Sequence, residues 1–126
     1  MAEIIRKDVN DEYAHSGIVV AGDFAFITYC VGNIGQSIEK QVEGALDELA
    51  ARLTSVGLTL ESVVKVDALF RDIWDIPAME KVFHRRFNGK YPARKSLQTE
   101  FAHRGGLLFQ LDAVAYLGEK AAKLLD

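Results

Sequence analysis

The chain has 126 residues, 49% apolar and 26% charged, with a formal charge of -3, a balance that suits one domain with a real core and gives no overall attraction to nucleic acid or anionic lipid. Its one cysteine, Cys30, excludes an internal disulfide, and metal-type Cys spacing is absent. No apolar run reaches membrane-spanning length and residues 1–8 do not read as a secretion signal, so a reducing, cytoplasmic setting is expected.

Ile4-Ile5 is a candidate first strand. Residues 18–21 form a short β-branched run, and Gly22-Asp23 is a turn of the kind hairpins favour. Residues 24–31 then form an apolar, aromatic return strand. Gly32 and Gly35 mark a loop. Ile38, Val42, Ala45, Leu46, Leu49, Ala50 and Leu53 recur at helical steps, and Gly57 is placed to end that helix. Leu60 opens the next element. Residues 63–70 read as a strand. Asp75 or Ile76 precedes a Pro77-initiated helix that carries Ala78, Met79, Val82, Phe83 and Phe87 on one side and stops at Gly89. Residues 94–101 and 107–117 read as two strands around the turn Arg104-Gly105-Gly106, and 118–126 as a short helical extension.

The expected product is a single α+β domain over 1–126, a mixed sheet with two helices packed on one face. The strands carry apolar residues on both faces, Phe24, Phe26, Tyr29, Phe101, Phe109 and Tyr116, so a single chain would expose a large patch and an oligomer is expected.

Side chains alternate along a strand, so Arg94, Ser96, Gln98 and Glu100 share one face. In the last strand Phe109, Leu111, Ala113 and Ala115 should lie under the helices, with Gln110, Asp112, Val114 and Tyr116 opposite. A hairpin between these two strands would gather Arg94, Ser96, Gln110 and Asp112 on one face. Arg94 there suits a two-pronged grip on a carboxylate; the alternative is an ion pair with Asp112, Glu100 or a neighbouring subunit. The basic clusters Arg85-Arg86, 90–95 and His103-Arg104 make no nucleic-acid stripe. Cys30 reads as buried and inert, since His15, His84 and His103 are all distant in sequence. The histidines read as surface or interface residues, and Trp74 is expected to pack at the entry to the second helix.

Several segments in order resemble the RidA/YjgF family, also called L-PSP. They are 17–23 with Phe26-Ile27-Thr28, Gln41 through Leu53 to Gly57-Leu58, and Val63-Val64-Lys65-Val66 with Phe70-Arg71-Asp72. Phe87 with Tyr91-Pro92-Ala93-Arg94, and 110–115, complete the set. The likeness spans about residues 13–117. It implies a chorismate-mutase-like fold, a homotrimer with clefts between subunits, and hydrolysis of reactive enamines and imines to 2-keto acids and ammonia without metal or cofactor. It further implies that Arg94 binds the substrate carboxylate beside Ser96, and that Tyr13 matches a cleft-closing tyrosine. Gln110 stands where active members usually carry a Glu that handles the attacking water; an amide orients water without taking its proton. Asp112, on the same expected face, is a substitute for that Glu or a structural acid. Tyr29-Cys30-Val31 replaces the usual Ser-Gly-Gln, so Tyr29 and Cys30 are expected to line and narrow the cleft. The second reading of the resemblance is a catalytically altered relative that binds a small carboxylate.

Overall fold

The computed structural model describes residues 3–101 and 105–118. Six strands, β1 (Ile5–Asn10), β2 (His15–Ala21), β3 (Phe24–Cys30), β4 (Val63–Phe70), β5 (Ala93–Gln98) and β6 (Phe109–Tyr116), form one sheet. The helices are α1 (Ile38–Thr54) and α2 (Ile76–Phe87), with single 3-10 turns at Leu60–Ser62 and Ile73–Asp75. The strand order is β1-β2-β3-β6-β4-β5. Every pairing is antiparallel except β4 with β5, whose connection runs through α2, as a parallel pair requires.

The hairpin β2–β3 closes at Gly22-Asp23, and Gly22 takes φ +60, the left-handed value that this two-residue turn needs. Helix α1 begins where the Ser37 side chain accepts the Lys40 N–H, and buries Val42, Ala45, Leu46, Leu49 and Leu53 on its apolar stripe. Halfway along, Gly44 lies so close to Gly32 that a Cβ on either would stand 2.7 Å from the other's backbone. Glycine at both positions lets the loop after β3 lie directly on the helix. Helix α2 has Pro77 in its first turn and ends at Asn88 with φ 50, and it buries Met79, Val82, Phe83 and Phe87. Both helices cover one face of the sheet, where Ile18, Ile27, Cys30, Val66, Ala68, Phe70, Phe109 and Leu111 are fully buried. Each large side chain so buried contributes roughly 1.5–3 kcal/mol.

Buried Gln41 ties α1 to the approach to β6. Its Nε2 donates to the carbonyls of Gln36 (3.0 Å) and Gly106 (2.7 Å), and its Oε1 accepts from the Leu108 N–H (2.9 Å).

The alternation expected of β6 is present: Phe109, Leu111, Ala113 and Ala115 are buried, while Gln110, Asp112 and Val114 are half-buried and Tyr116 is exposed. The expected pairing of the last two strands is not. β6 lies between β3 and β4, and β5 pairs only with β4, at the sheet edge. Sequence neighbours often pair, but the parallel β4–β5 unit occupies the place a hairpin would have taken. Trp74 does not pack at the entry to α2 either; it is 85% exposed on the turn before it. The Arg104 and His103 positions and the 119–126 part of the extension lie outside the described residues.

Candidate functional site

Register decides which side chains meet. Arg94 is opposite Val66 and Ser96 opposite Ala68, and these β4 residues are fully buried beneath the helices. Gln110 is opposite Leu69 and Asp112 opposite Asp67, on the other face. Arg94 and Ser96 therefore point to the helix side of the sheet, and Gln110 and Asp112 to its open side. One chain does not bring the four together, contrary to the expectation from a β5–β6 hairpin.

Arg94 opens the edge strand β5 just after Pro92 and reaches α2. Its Nη2 is 3.0 Å from Glu80 Oε2, and its Nη1 lies 3.9 Å from Met79 Sδ. The ion pair is thus with Glu80, not Asp112 or Glu100. Both partners remain partly open to solvent, the side chains 30% and 45% exposed. They line an open cleft of about 330 Å³ with Phe83, His84, Tyr91 and Pro92. His84 Nδ1 lies 2.9 Å from the Tyr91 hydroxyl, and the two rings meet edge to face at 5.5 Å. The cleft thus joins an apolar wall to one cation, one anion and a hydrogen-bonded imidazole–phenol pair. Ser96 sits two residues beyond Arg94 on the same face; its hydroxyl is buried and has no hydrogen-bond partner among the described residues.

The open side holds a smaller cleft of about 180 Å³, lined by Phe26, Thr28, Lys65, Asp67, Asp112 and Val114 among others. Asp67 and Asp112 face each other across β4 and β6. Lys65 Nζ is 3.2 Å from Asp67 Oδ1, yet that oxygen accepts no aligned hydrogen bond, so the contact is one of charge. Asp112 Oδ1 accepts the Tyr29 N–H at 2.8 Å. That bond holds a bulge in β3, where Tyr29 takes φ 57 and the pairing with β6 slips between Ile27 and Cys30. Arg52 of α1 supports the bulge from the other side, its guanidinium donating to the carbonyls of Thr28 and Tyr29. Asp112 is accordingly a structural acid within the chain.

Cys30 does not line a cleft. It is fully buried in the core, and burial pushes its thiol up to about 12, only partly offset by the charge of Arg52 and reinforced by Glu48 and Asp112. Tyr29 is half-buried beside it. Tyr13 is 70% exposed in the turn between β1 and β2, its N–H held by Asn10 Oδ1. Among the described residues no three His, Cys, Asp or Glu side chains converge as metal ligands would.

Glu80 is the residue that sequence reasoning missed. It lies on the border of the buried stripe of α2, next to Met79, and only the packing of α2 over β5 sets it against Arg94.

The fold and the sequence are shared with known proteins. The family model described as Endoribonuclease L-PSP matches residues 10–117. A solved Streptococcus pyogenes structure, described as a member of the highly conserved yjgF family, is 61% identical. The match covers 92% of this chain and 98% of that one, with a TM-score of 0.89. A Mycobacterium tuberculosis protein of the YjgF/YER057c/UK114 family, 23% identical over 90% of this chain and 99% of its own, has a TM-score of 0.81 and speaks for the fold alone. Among curated relatives, the rat protein named 2-iminobutanoate/2-iminopropanoate deaminase is 25% identical, over 94% of this chain and 95% of its own. The family match takes in almost the whole described chain, and the chain belongs to the endoribonuclease L-PSP family, the RidA/YjgF group of chorismate-mutase-like folds.

Proposed function

We propose that this protein is an enamine/imine deaminase of the RidA type, cytoplasmic and cofactor-free, that hydrolyses reactive 2-imino and 2-enamino acids to 2-keto acids and ammonia. Residues 1–126 act as one such domain, with 118–126 as an extension. The observation that carries this reading is Arg94, a partly exposed guanidinium in the wall of an open cleft with N–H groups that Glu80 leaves unused. A carboxylate gripped there sets the neighbouring imine carbon against the apolar wall of Phe83, Tyr91 and Pro92, and positioning of that kind lowers the barrier to attack by water. The relatives named 2-iminobutanoate/2-iminopropanoate deaminase support the same chemistry.

Gln110 is the proposed partner of Arg94 in orienting the water. Within one chain it faces the opposite side of the sheet, so it reaches an Arg94 cleft only from a second copy. Two features support a homotrimer with the site between subunits. β5 has one free edge, and Phe24, Phe26, Val64 and Tyr116 are 40%, 45%, 44% and 51% exposed on the open side. Tyr13 and Tyr29 would then line the cleft from the neighbouring subunit.

The test is to generate 2-aminoacrylate with a dehydratase and follow its decay. Wild type should accelerate it. Arg94→Ala, which removes a charge-assisted grip of about 3 kcal/mol, should lower kcat/KM roughly hundredfold. No acceleration by wild type overturns the assignment, and a monomer mass by light scattering overturns the inter-subunit site.

A second reading, binding of a small carboxylate without turnover, is favoured by Gln110, which has no carboxylate to take a proton from water. Activity gained only in Gln110→Glu would establish it. RNA binding has less support. Arg85 and Arg86 are held by Glu43 and Asp47, Lys90 by Glu61 and Arg94 by Glu80, leaving no basic stripe among them.

A further inference from the structure

The ion pair in the Arg94 cleft says what kind of carboxylate the cleft accepts. A site built for a plain anion presents cations and N–H groups. Here the guanidinium is met at 3.0 Å by a carboxylate, Glu80, that lines the same cleft. An incoming anion would meet Glu80 as well as Arg94, and like charges in one site cost affinity.

Each member of the pair nevertheless has capacity left. Glu80 engages Arg94 through Oε2, leaving Oε1 as an acceptor. Arg94 uses Nη2 for Glu80 and points Nη1 at a thioether, a weak acceptor, leaving N–H groups able to turn to a ligand. A molecule with a carboxylate and a cationic nitrogen on adjacent carbons matches both. Its carboxylate takes the spare N–H groups of Arg94, and its nitrogen donates to Glu80.

Resting on the deaminase reading of this cleft, we infer that Glu80 is a specificity-determining residue that selects the dipolar, iminium form of a 2-imino acid and disfavours the 2-keto acid product. The charge balance of the reaction gives this its sense. Water adds its oxygen to the iminium carbon, the C–N bond breaks, and the nitrogen leaves as ammonium with both hydrogens of the water. The organic molecule enters with no net charge and leaves as an anion. Glu80 attracts the group present only before hydrolysis and repels what remains, so product is released as the positive charge departs.

The experiment compares two stable four-carbon probes, 2-aminobutyrate for the dipolar ion and 2-oxobutanoate for the product, by calorimetric titration of the whole chain. Wild type should bind the amino acid at least about tenfold more tightly than the keto acid. In Glu80→Gln, an exposed and near-isosteric change, that ratio should fall to within about threefold, and the keto acid should become the stronger inhibitor of imine hydrolysis. Arg94→Ala should lose both probes. If wild type favours the keto acid, or Glu80→Gln keeps the wild-type ratio while Arg94→Ala loses both probes, the role of Glu80 is overturned and the Arg94 reading survives. If Arg94→Ala binds both probes as wild type does, or wild type binds neither, both readings fall.

Discussion

Replacing Gln41 with Leu isolates one buried polar residue without changing the size of the side chain much. The amide is fully buried and makes three bonds, all to backbone groups that stay behind in the variant. The Gln36 residue is exposed and its carbonyl can turn to water. The Gly106 carbonyl keeps one donor, the Gly35 N–H at 3.3 Å. The Leu108 N–H loses its partner outright. Removing one side of a buried hydrogen bond costs about 1–3 kcal/mol per stranded group; the Leu108 N–H stands at the upper end of that range and the exposed Gly106 carbonyl, which keeps a donor, adds the lower end, about 3–4 kcal/mol together. The more apolar leucine returns roughly 1–2 kcal/mol. The net expectation is a loss of about 1–3 kcal/mol, or a Tm lower by roughly 4–11 degrees for a chain this size. Urea unfolding followed by circular dichroism reads this directly, as a lower midpoint with an unchanged slope. A variant as stable as wild type would falsify the claim that Gln41 holds the approach to β6.

Two further outcomes follow from ionisable groups. With its thiol pushed up to about 12 by burial, Cys30 should not react with a thiol reagent at pH 8 in the folded protein and should react once per chain in denaturant. Because that folded value is raised, the stability it contributes is full below the free-thiol range near pH ~8.5 and is lost as pH climbs toward the folded value; rapid native labelling would contradict the burial. Glu43 is drawn in the other direction: burial alone would raise its carboxyl, but hydrogen bonds and charge from Arg86 and Arg85 win and hold it below the usual range. Its contribution is present above the ordinary carboxylate value near pH ~4 and is lost as pH falls through the lowered folded value, so Glu43→Gln should cost up to about 1 kcal/mol at pH 7 and nothing at the acid end. Equal costs at both pH values would show that the α1–α2 clamp of Glu43 with Arg85 and Arg86 is not electrostatic.

Much of the fold was legible because each element carries its own local cause. The stripe from Ile38 to Leu53, Gly22-Asp23 at the hairpin and the alternation of β6 all found their places. The partner of β5 was not legible. Parallel pairing leaves no turn residue to announce it, and Arg94 shows the same alternation whether β4 or β6 lies beside it. That one ambiguity put Gln110 and Asp112 on the face of Arg94 when register puts them on the other. Arg94 was singled out by its motif, and the structure sets it in the wall of a cleft. Glu80 was not, because helix periodicity tells which side of α2 is buried and not which residue of β5 its border touches. Cys30 was read rightly as buried, and wrongly as a cleft residue, because the bulge at Tyr29 keeps it turned into the core.

The strand order makes β6 the piece on which the whole sheet depends. β6 is the last strand among the described residues, yet it sits between β3 and β4. Without β6 the sheet would divide into two parts, β1-β2-β3 and β4-β5, each with an unpaired inner edge and an apolar face left for cover. Such edges invite pairing with other chains, and contacts between distant segments form slowly. The Gln41 amide, bonded to the residues just ahead of β6, fixes where the central strand enters the gap between them, so one buried side chain on α1 sets the start of the strand that joins the two parts.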